Sequence, residues 1–167
     1  MRIGLISDTH SYLDEEVAKY FAECDEIWHA GDVGDYKVIE GLQKIAPVRA
    51  VYGNIDGPEI RNRYPEIDYF VCEGLPIYMI HIGGKPPKYA SDILKDLKEK
   101  RPRLFICGHS HILKIMPDKS LGNMLYLNPG AAGNHGFHKV KTLVRFEITD
   151  SVLKNMEVIE LGVRGRA

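Results

Sequence analysis

The sequence has no apolar run near the roughly 18–20 residues of a membrane-spanning helix, which excludes that class of membrane protein. It is poor in cysteine, with three in 167 residues. Cys24, Cys72 and Cys107 are odd in number, far apart, and each lies in or beside an apolar run. That spacing excludes a disulfide framework or zinc knuckle and reads as reduced, mostly buried thiols. The first residues lack the charged region, long apolar stretch and small-residue cleavage site of a secretory signal, so the expected location is cytoplasmic. Excess charge of one sign is missing too: 22 Lys and Arg face 23 Asp and Glu, a net charge of -1. A nucleic-acid footprint would need a basic face or segment, and none is present. The basic tail Arg164-Gly165-Arg166 reads as a solvated terminus. Linkers, internal repeats and low-complexity tracts are absent, so the economical organisation is one globular domain over residues 1–167.

Short runs rich in Ile, Val and Leu alternate with stretches of helical period. Residues 3–7, 26–30 and 48–52 read as buried strands, and residues 14–24 and 36–45 as amphipathic helices. This β-α-β-α-β order predicts a parallel sheet flanked by helices. The second half has more β character: strands at 67–72 and 77–81 joined by the turn Glu73-Gly74-Leu75-Pro76, a helix at 89–100, and a buried strand at 104–107. Strand-like runs follow at 112–116, 124–127, 142–148 and 152–159, the last two joined as a hairpin through Thr149-Asp150-Ser151.

In α/β sheets, ligands sit beyond the carboxyl ends of strands. Five strand exits here carry Asp8 and His10, Asp32, Asn54, His81, and His109 with His111. Taken singly, Asp-x-His, Gly-Asp or His-x-His is weak, since each also occurs as a plain turn. Together, each directly after an apolar run, they place seven donor side chains at one end of the fold. As unpaired polar groups these would be costly to bury. Four imidazoles, two carboxylates and one amide suit borderline divalent metals: manganese first, with zinc, iron or nickel as alternatives. Seven donors exceed the needs of one tetrahedral ion and fit two ions sharing a carboxylate. Two ions about 3.5–4 Å apart lower the pKa of a shared water and clamp a phosphoryl group.

The ordered set Asp8-x-His10, Gly31-Asp32, Gly53-Asn54, His81 and Gly108-His109-x-His111 resembles the calcineurin-like metallophosphoesterases over nearly the whole chain. The short chain and Asn128-Pro129-Gly130 are similar to the small microbial phosphodiesterase subfamily. The resemblance implies an α/β fold in which two sheets form a β-sandwich flanked by helices, four layers in all. It implies that Asp8, His10 and His111 hold a first ion, that Asn54, His81 and His109 hold a second, and that Asp32 bridges them. Asn54 would also touch the phosphate. The implied reaction is hydrolysis of a small phosphate ester, a diester before a monoester, by a metal-bridging hydroxide. The same fold also serves as a scaffold subunit of the eukaryotic retromer, so the competing reading is a non-catalytic protein-interaction module. The complete donor set favours hydrolysis.

Two positions depart from the family pattern. Many members carry Gly-Asn-His-Glu where this chain has Gly53-Asn54-Ile55-Asp56, so Ile55 leaves the histidine's phosphate-contacting role unfilled. The run Ile82-Gly83-Gly84 after His81 also predicts a differently shaped loop. His135 and His138 form either a polar surface loop or one folded over the metals to supply the missing contact. His29, inside a strand, reads as a hydrogen-bonded structural residue. Asp56 and Asn128 read as turn caps or as supports for ligands. Tyr12, Arg61 and Arg63 are candidates to meet substrate at the mouth, with no motif that singles them out. Residues 64–72 read as core or as an interface edge, leaving monomer and homo-oligomer both open.

Overall fold

A computed structural model describes residues 1–165 of the chain. Along it run β1 (Arg2–Ile6), α1 (Glu16–Phe21), β2 (Glu26–His29), α2 (Lys37–Gln43), β3 (Val48–Ala50) and the short α3 (Pro58–Arg61). Then come β4 (Ile67–Cys72), β5 (Leu75–Ile80), the two-residue strands β6 (Gly84–Lys85) and β7 (Lys88–Tyr89), and α4 (Ser91–Lys100). The chain closes with β8 (Leu104–Ile106), β9 (Lys114–Asp118), β10 (Met124–Asn128), β11 (Val140–Thr149) and β12 (Val152–Val163).

These strands make two mixed five-stranded sheets, ordered β12-β11-β1-β2-β3 and β4-β5-β8-β10-β9. In each, three neighbouring strands run parallel: β1, β2 and β3 in one, β5, β8 and β10 in the other. Antiparallel strands complete both. The parallel strands read as nearly unbroken apolar runs because both their faces are covered. Ile3, Leu5, Trp28, Ile77, Met79, Ile106 and Phe146 fill the space between the sheets. Ile6, Phe21, Ile27, Ile39 and Leu42 join the first sheet to α1 and α2, while Tyr78, Ile93, Leu97 and Phe105 join the second to α4. The result is four layers, α/β/β/α. Trp28, Phe21 and Phe105 are fully buried, and each large apolar side chain so placed contributes roughly 1.5–3 kcal/mol.

The expectation of a single parallel sheet is corrected by the hairpins. β4–β5 turns at Glu73-Gly74 and β11–β12 at Asp150-Ser151, and all four residues have positive φ, as two-residue turns matched to strand twist require. Leu75 and Pro76 therefore pair in the ladder instead of turning, and Thr149 does the same. The first two helices are shorter than their apolar periodicity. At the first, Asp14 Oδ1 accepts a hydrogen bond from Glu16 N at 3.0 Å, which shapes a turn ahead of α1. β4 is an edge strand with Tyr69 and Val71 exposed. The tail is not simply solvated: Arg164 hydrogen-bonds the backbone of residues 134 and 138, and Arg166 lies outside the described residues. No described helix is long and apolar enough to cross a membrane.

Candidate metal centre

The exits of β1, β2, β3, β5 and β8 meet at one edge of the sandwich, so donors from both sheets converge. Asp8, His10 and His111 bring ligand atoms within 4.8 Å of one another, and Asp32, His81 and His109 form a second such group. Asp32 reaches into both: Oδ1 lies 3.2 Å from His81 Nε2, and Oδ2 lies 3.5 Å from His10 Nε2. Asn54 Oδ1 stands 3.0 Å from His109 Nδ1, beside the second group. All seven sequence-predicted donors are thus brought together. Asp8, Asp32 and His81 are buried at the floor, while Asn54 and His109 are exposed at the lip.

The backbone is bent to make this possible. Asp8, His10, Asp32, His109 and His111 all have positive φ, between 46° and 69°. Each costs about 1–2 kcal/mol in a non-glycine residue, and such strain concentrates at functional sites. At Gly53, an added Cβ would stand 2.8 Å from Asp32 Cγ and closer still to Asp32 N and Oδ1, so only glycine allows the two loops this approach.

A shell of hydrogen bonds holds the donors. Ser7 Oγ donates to Asp8 Oδ2 at 2.7 Å, and His109 N donates to the same oxygen at 3.1 Å. Asp56 accepts from Gly34 N and Gly53 N at 2.7 and 2.8 Å, tying the Asp32 loop to the Asn54 loop. Asn128 does both jobs considered for it. Its Nδ2 donates to Gly108 O and Ser110 Oγ, and its Oδ1 accepts from Gly130 N. His29 bonds Thr9 Oγ1 and accepts from Gly31 N, as a structural residue would. Two supports escaped sequence reasoning. Ser7 carried no signal beyond preceding Asp8. Arg61 was placed at the mouth, but its guanidinium donates to the carbonyls of Gly53, Asn54 and Asp56. Arg63 lies over Tyr36, and Tyr12 lies beneath Lys141.

The electrostatics call for cations. His81 Nδ1 donates to Ala30 O at 2.8 Å, which leaves Nε2 facing the two carboxylates. Asp8 Oδ1 and His81 Nε2 are buried without a hydrogen-bond partner, and an orphaned buried carboxylate oxygen is expensive. The Nε2 atoms of His10 and His111 face each other at 3.3 Å, an arrangement that suits two lone pairs sharing an ion. Burial opposes charge on His81, but the adjacent carboxylates of Asp32 and Asp8 outweigh this and raise its pKa. Burial also pushes the Asp32 carboxyl up, yet the adjacent His81 imidazole and the hydrogen bond from Ile55 N bring it below its usual range. At His10, burial wins and lowers the pKa. A negative field able to hold a proton on a buried imidazole can equally hold a divalent cation. The donor set, with nitrogen and oxygen ligands at both groups, therefore fits two borderline metal ions.

Two cavities flank His81. One of about 160 Å³ is lined by Tyr52, Asn54 and Arg61, and one of about 310 Å³ by Ile82, His109 and Ser110. A larger cavity of about 520 Å³, lined by Leu97, Arg101 and Leu121, contains none of the donors, so its size carries no weight for this chemistry. The Ile55 side chain is exposed and apolar, while its backbone N donates to Asp32 Oδ1 at 3.1 Å. The 133–138 loop lies on the first group: the His135 ring is 4.9 Å from that of His10, and the His138 ring is 5.2 Å from that of His111.

Comparison with known proteins gives a consistent picture. Residues 1–151 match the calcineurin-like phosphoesterase superfamily domain. A protein of Methanothermobacter thermautotrophicus named "Probable metallophosphoesterase" is 34% identical over 140 residues, covering 78% of this chain and 77% of that one. Among solved structures, a novel archaeal phosphodiesterase superposes with a TM-score of 0.76 at 22% identity, covering 96% of this chain and 100% of the other. Zinc-complexed Vps29 of Entamoeba histolytica gives 0.76 at 19% identity, over 97% and 99%.

Proposed function

The chain belongs to the calcineurin-like phosphoesterase superfamily, and we propose that it is a two-metal phosphodiesterase acting on a small phosphate ester. The observation that carries this reading is the paired donor groups with Asp32 reaching into both. Asp8, His10 and His111 would hold one ion, Asn54, His81 and His109 the other, with Asp32 between them. When bound, the two cations supply Lewis acidity, lowering the pKa of water and neutralising phosphoryl charge. Manganese is the proposed native metal, with zinc, iron or nickel as competitors that availability decides. We place the protein in the cytoplasm, as one domain over residues 1–167.

The chain's own residues divide the remaining work. Asp8 and Asp32, buried at the floor, leave a phosphate to approach from the exposed lip, where Asn54 and His109 stand. Asn54 presents its amide at that lip, so it touches ester oxygens as well as metal. Losing one such preorganised donor typically costs about 10²–10³ in rate. Diesters are proposed ahead of monoesters on the likeness to the archaeal phosphodiesterase.

The competing reading, a protein-interaction module on the same fold, draws on the likeness to Vps29. One experiment separates the two. The chelated protein is reloaded with manganese, zinc, nickel or magnesium and assayed on a bis-aryl phosphodiester and an aryl monoester, with Asn54→Ala and His81→Ala as controls. Metal-restored diester hydrolysis, lost in both variants, is expected. Two bound ions with no turnover under any metal would move the weight to the interaction module.

A further inference from the structure

We propose that His135 contacts the substrate's phosphoryl group, as a hydrogen-bond donor delivered by a loop that the end of β12 clamps in place. The proposal rests on the phosphoesterase reading and adds to it a residue outside both donor groups.

Position 55, beside Asn54, is an exposed isoleucine, so its side chain adds no donor for the ester to that of Asn54. On the other side stands an imidazole with no assigned task. His135 is exposed, its ring 4.9 Å from that of His10 and tilted by 38°. It belongs to neither ligand group. Its loop is built to press on the centre. Gly136 has φ +123°, and a Cβ there would meet His111 Cε1 at 2.5 Å, so the backbone lies directly on that ring. His138 Nε2 donates back to Gly133 O at 2.9 Å and closes the loop on itself.

The clamp comes from far along the chain. Arg164 donates from Nε to His138 O and from Nη1 to Asn134 O, both at 3.0 Å. Its backbone N bonds Lys139 O at 2.9 Å, and Gly165 N bonds Asn134 Oδ1 at 3.0 Å. Four hydrogen bonds from two successive residues fasten Asn134, His138 and Lys139, and so hold both ends of the loop. Such a loop is positioned, not merely solvated. A neutral imidazole keeps one N–H, so the contact requires no change of protonation. The departing oxygen takes its proton from water when the P–O bond breaks.

The alternative is a loop that only covers His10 and His111. Manganese-loaded wild type, His135→Ala, His135→Gln and Arg164→Ala distinguish the two. Metal content is read by atomic emission, inorganic phosphate binding by calorimetry, and hydrolysis across aryl methyl phosphodiesters of graded leaving-group acidity. Two ions should remain in every variant. Phosphate affinity should fall about tenfold in His135→Ala, the worth of one hydrogen bond to a charged group, and recover in part in His135→Gln. Arg164→Ala should shift in the same direction. The rate loss in His135→Ala should be similar across the leaving-group series, because the contact is to the phosphoryl group and water protonates the departing oxygen. Unchanged phosphate affinity, or loss of an ion from His135→Ala, would overturn the proposal. A wild type that binds ions and phosphate but hydrolyses no ester would sink the phosphodiesterase reading, and the binding arm would still decide the role of His135.

Discussion

Gly53→Ala is the most searching test of the candidate centre, because it alters no donor. The new Cβ would stand 2.8 Å from Asp32 Cγ, where ordinary contact begins at 3.4 Å, and closer still to Asp32 N. Rotating the Asp32 side chain relieves the first clash but not the second, which is with backbone. The loops after β2 and β3 must therefore separate by more than the roughly 0.6 Å that the Cγ contact alone would need. Metal–ligand distances tolerate only about ±0.2 Å. Asp32 faces both groups and Asn54 follows Gly53 directly, so the movement reaches donors on both sides. Overpacking of this kind costs about 1–3 kcal/mol of stability. At roughly 2–4 °C per kcal/mol for a chain of this size, the melting temperature of the chelated protein should drop measurably. Manganese affinity should weaken about 10–100-fold, the usual penalty for disturbing the support of a ligand. Gly57→Ala is the control, since a Cβ there meets nothing within 4 Å. Calorimetric titration with manganese reads the result. Wild-type affinity for two ions in Gly53→Ala would refute the assignment of Asp32 and Asn54 to one shared centre.

Two further predictions concern buried charge. Burial alone would push the Asp14 carboxyl up and the Lys141 ammonium down, but their contact at 2.5 Å outweighs it and shifts both the other way. Lys141→Met should cost about 2–3 kcal/mol in urea unfolding, less than the roughly 3–5 kcal/mol of a fully buried pair because Asp14 keeps some solvent. Asp14→Asn combined with Lys141→Met should restore most of it; no recovery would show that Lys141 acts through packing. The pair's contribution is present above the unfolded carboxyl value and lost as pH falls through the depressed Asp14 pKa. It is also lost as pH rises through the raised Lys141 pKa, so the wild-type advantage should be flat near neutrality. His29, fully buried, is pushed down to about 4. The unfolded chain then binds the extra proton between about 6.5 and 4, so stability falls with pH over that window, by on the order of 3 kcal/mol in total. In chelated protein, His29→Gln should flatten this slope; an unchanged slope would assign it to other groups.

The candidate centre was legible because its donors are local signals. Asp8, Asp32, Asn54, His81 and His109 each follow a run of apolar strand residues, and a strand exit can be read from neighbours in the chain. The parallel β-α-β-α-β half was legible for the same reason, through periods of 2 and 3.6. The hairpin turns were legible to within a residue or two, because Glu73-Gly74 and Asp150-Ser151 sit between strand-like runs. Helix ends were less so. Periodicity in residues 14–24 reports which face is apolar, not where a side chain such as Asp14 diverts the backbone.

By itself, then, the sequence determined the donor types, their order and the strand ends that carry them. Tertiary structure decided how the strands divide between two sheets, and therefore that exits of β1–β3 and of β5 and β8 share one edge. It placed Asp32 between two groups, set Arg61 on the backbone of the Asn54 turn, and brought Arg164 from the end of β12 onto the loop of His135. None of these has a local signature. Arg2 pairs with Glu147 by the same long-range logic. Such contacts depend on which surfaces the inter-sheet core brings together, and that is settled by the burial of Trp28, Met79 and Phe146 from distant segments at once, not by any residue's neighbours in the chain.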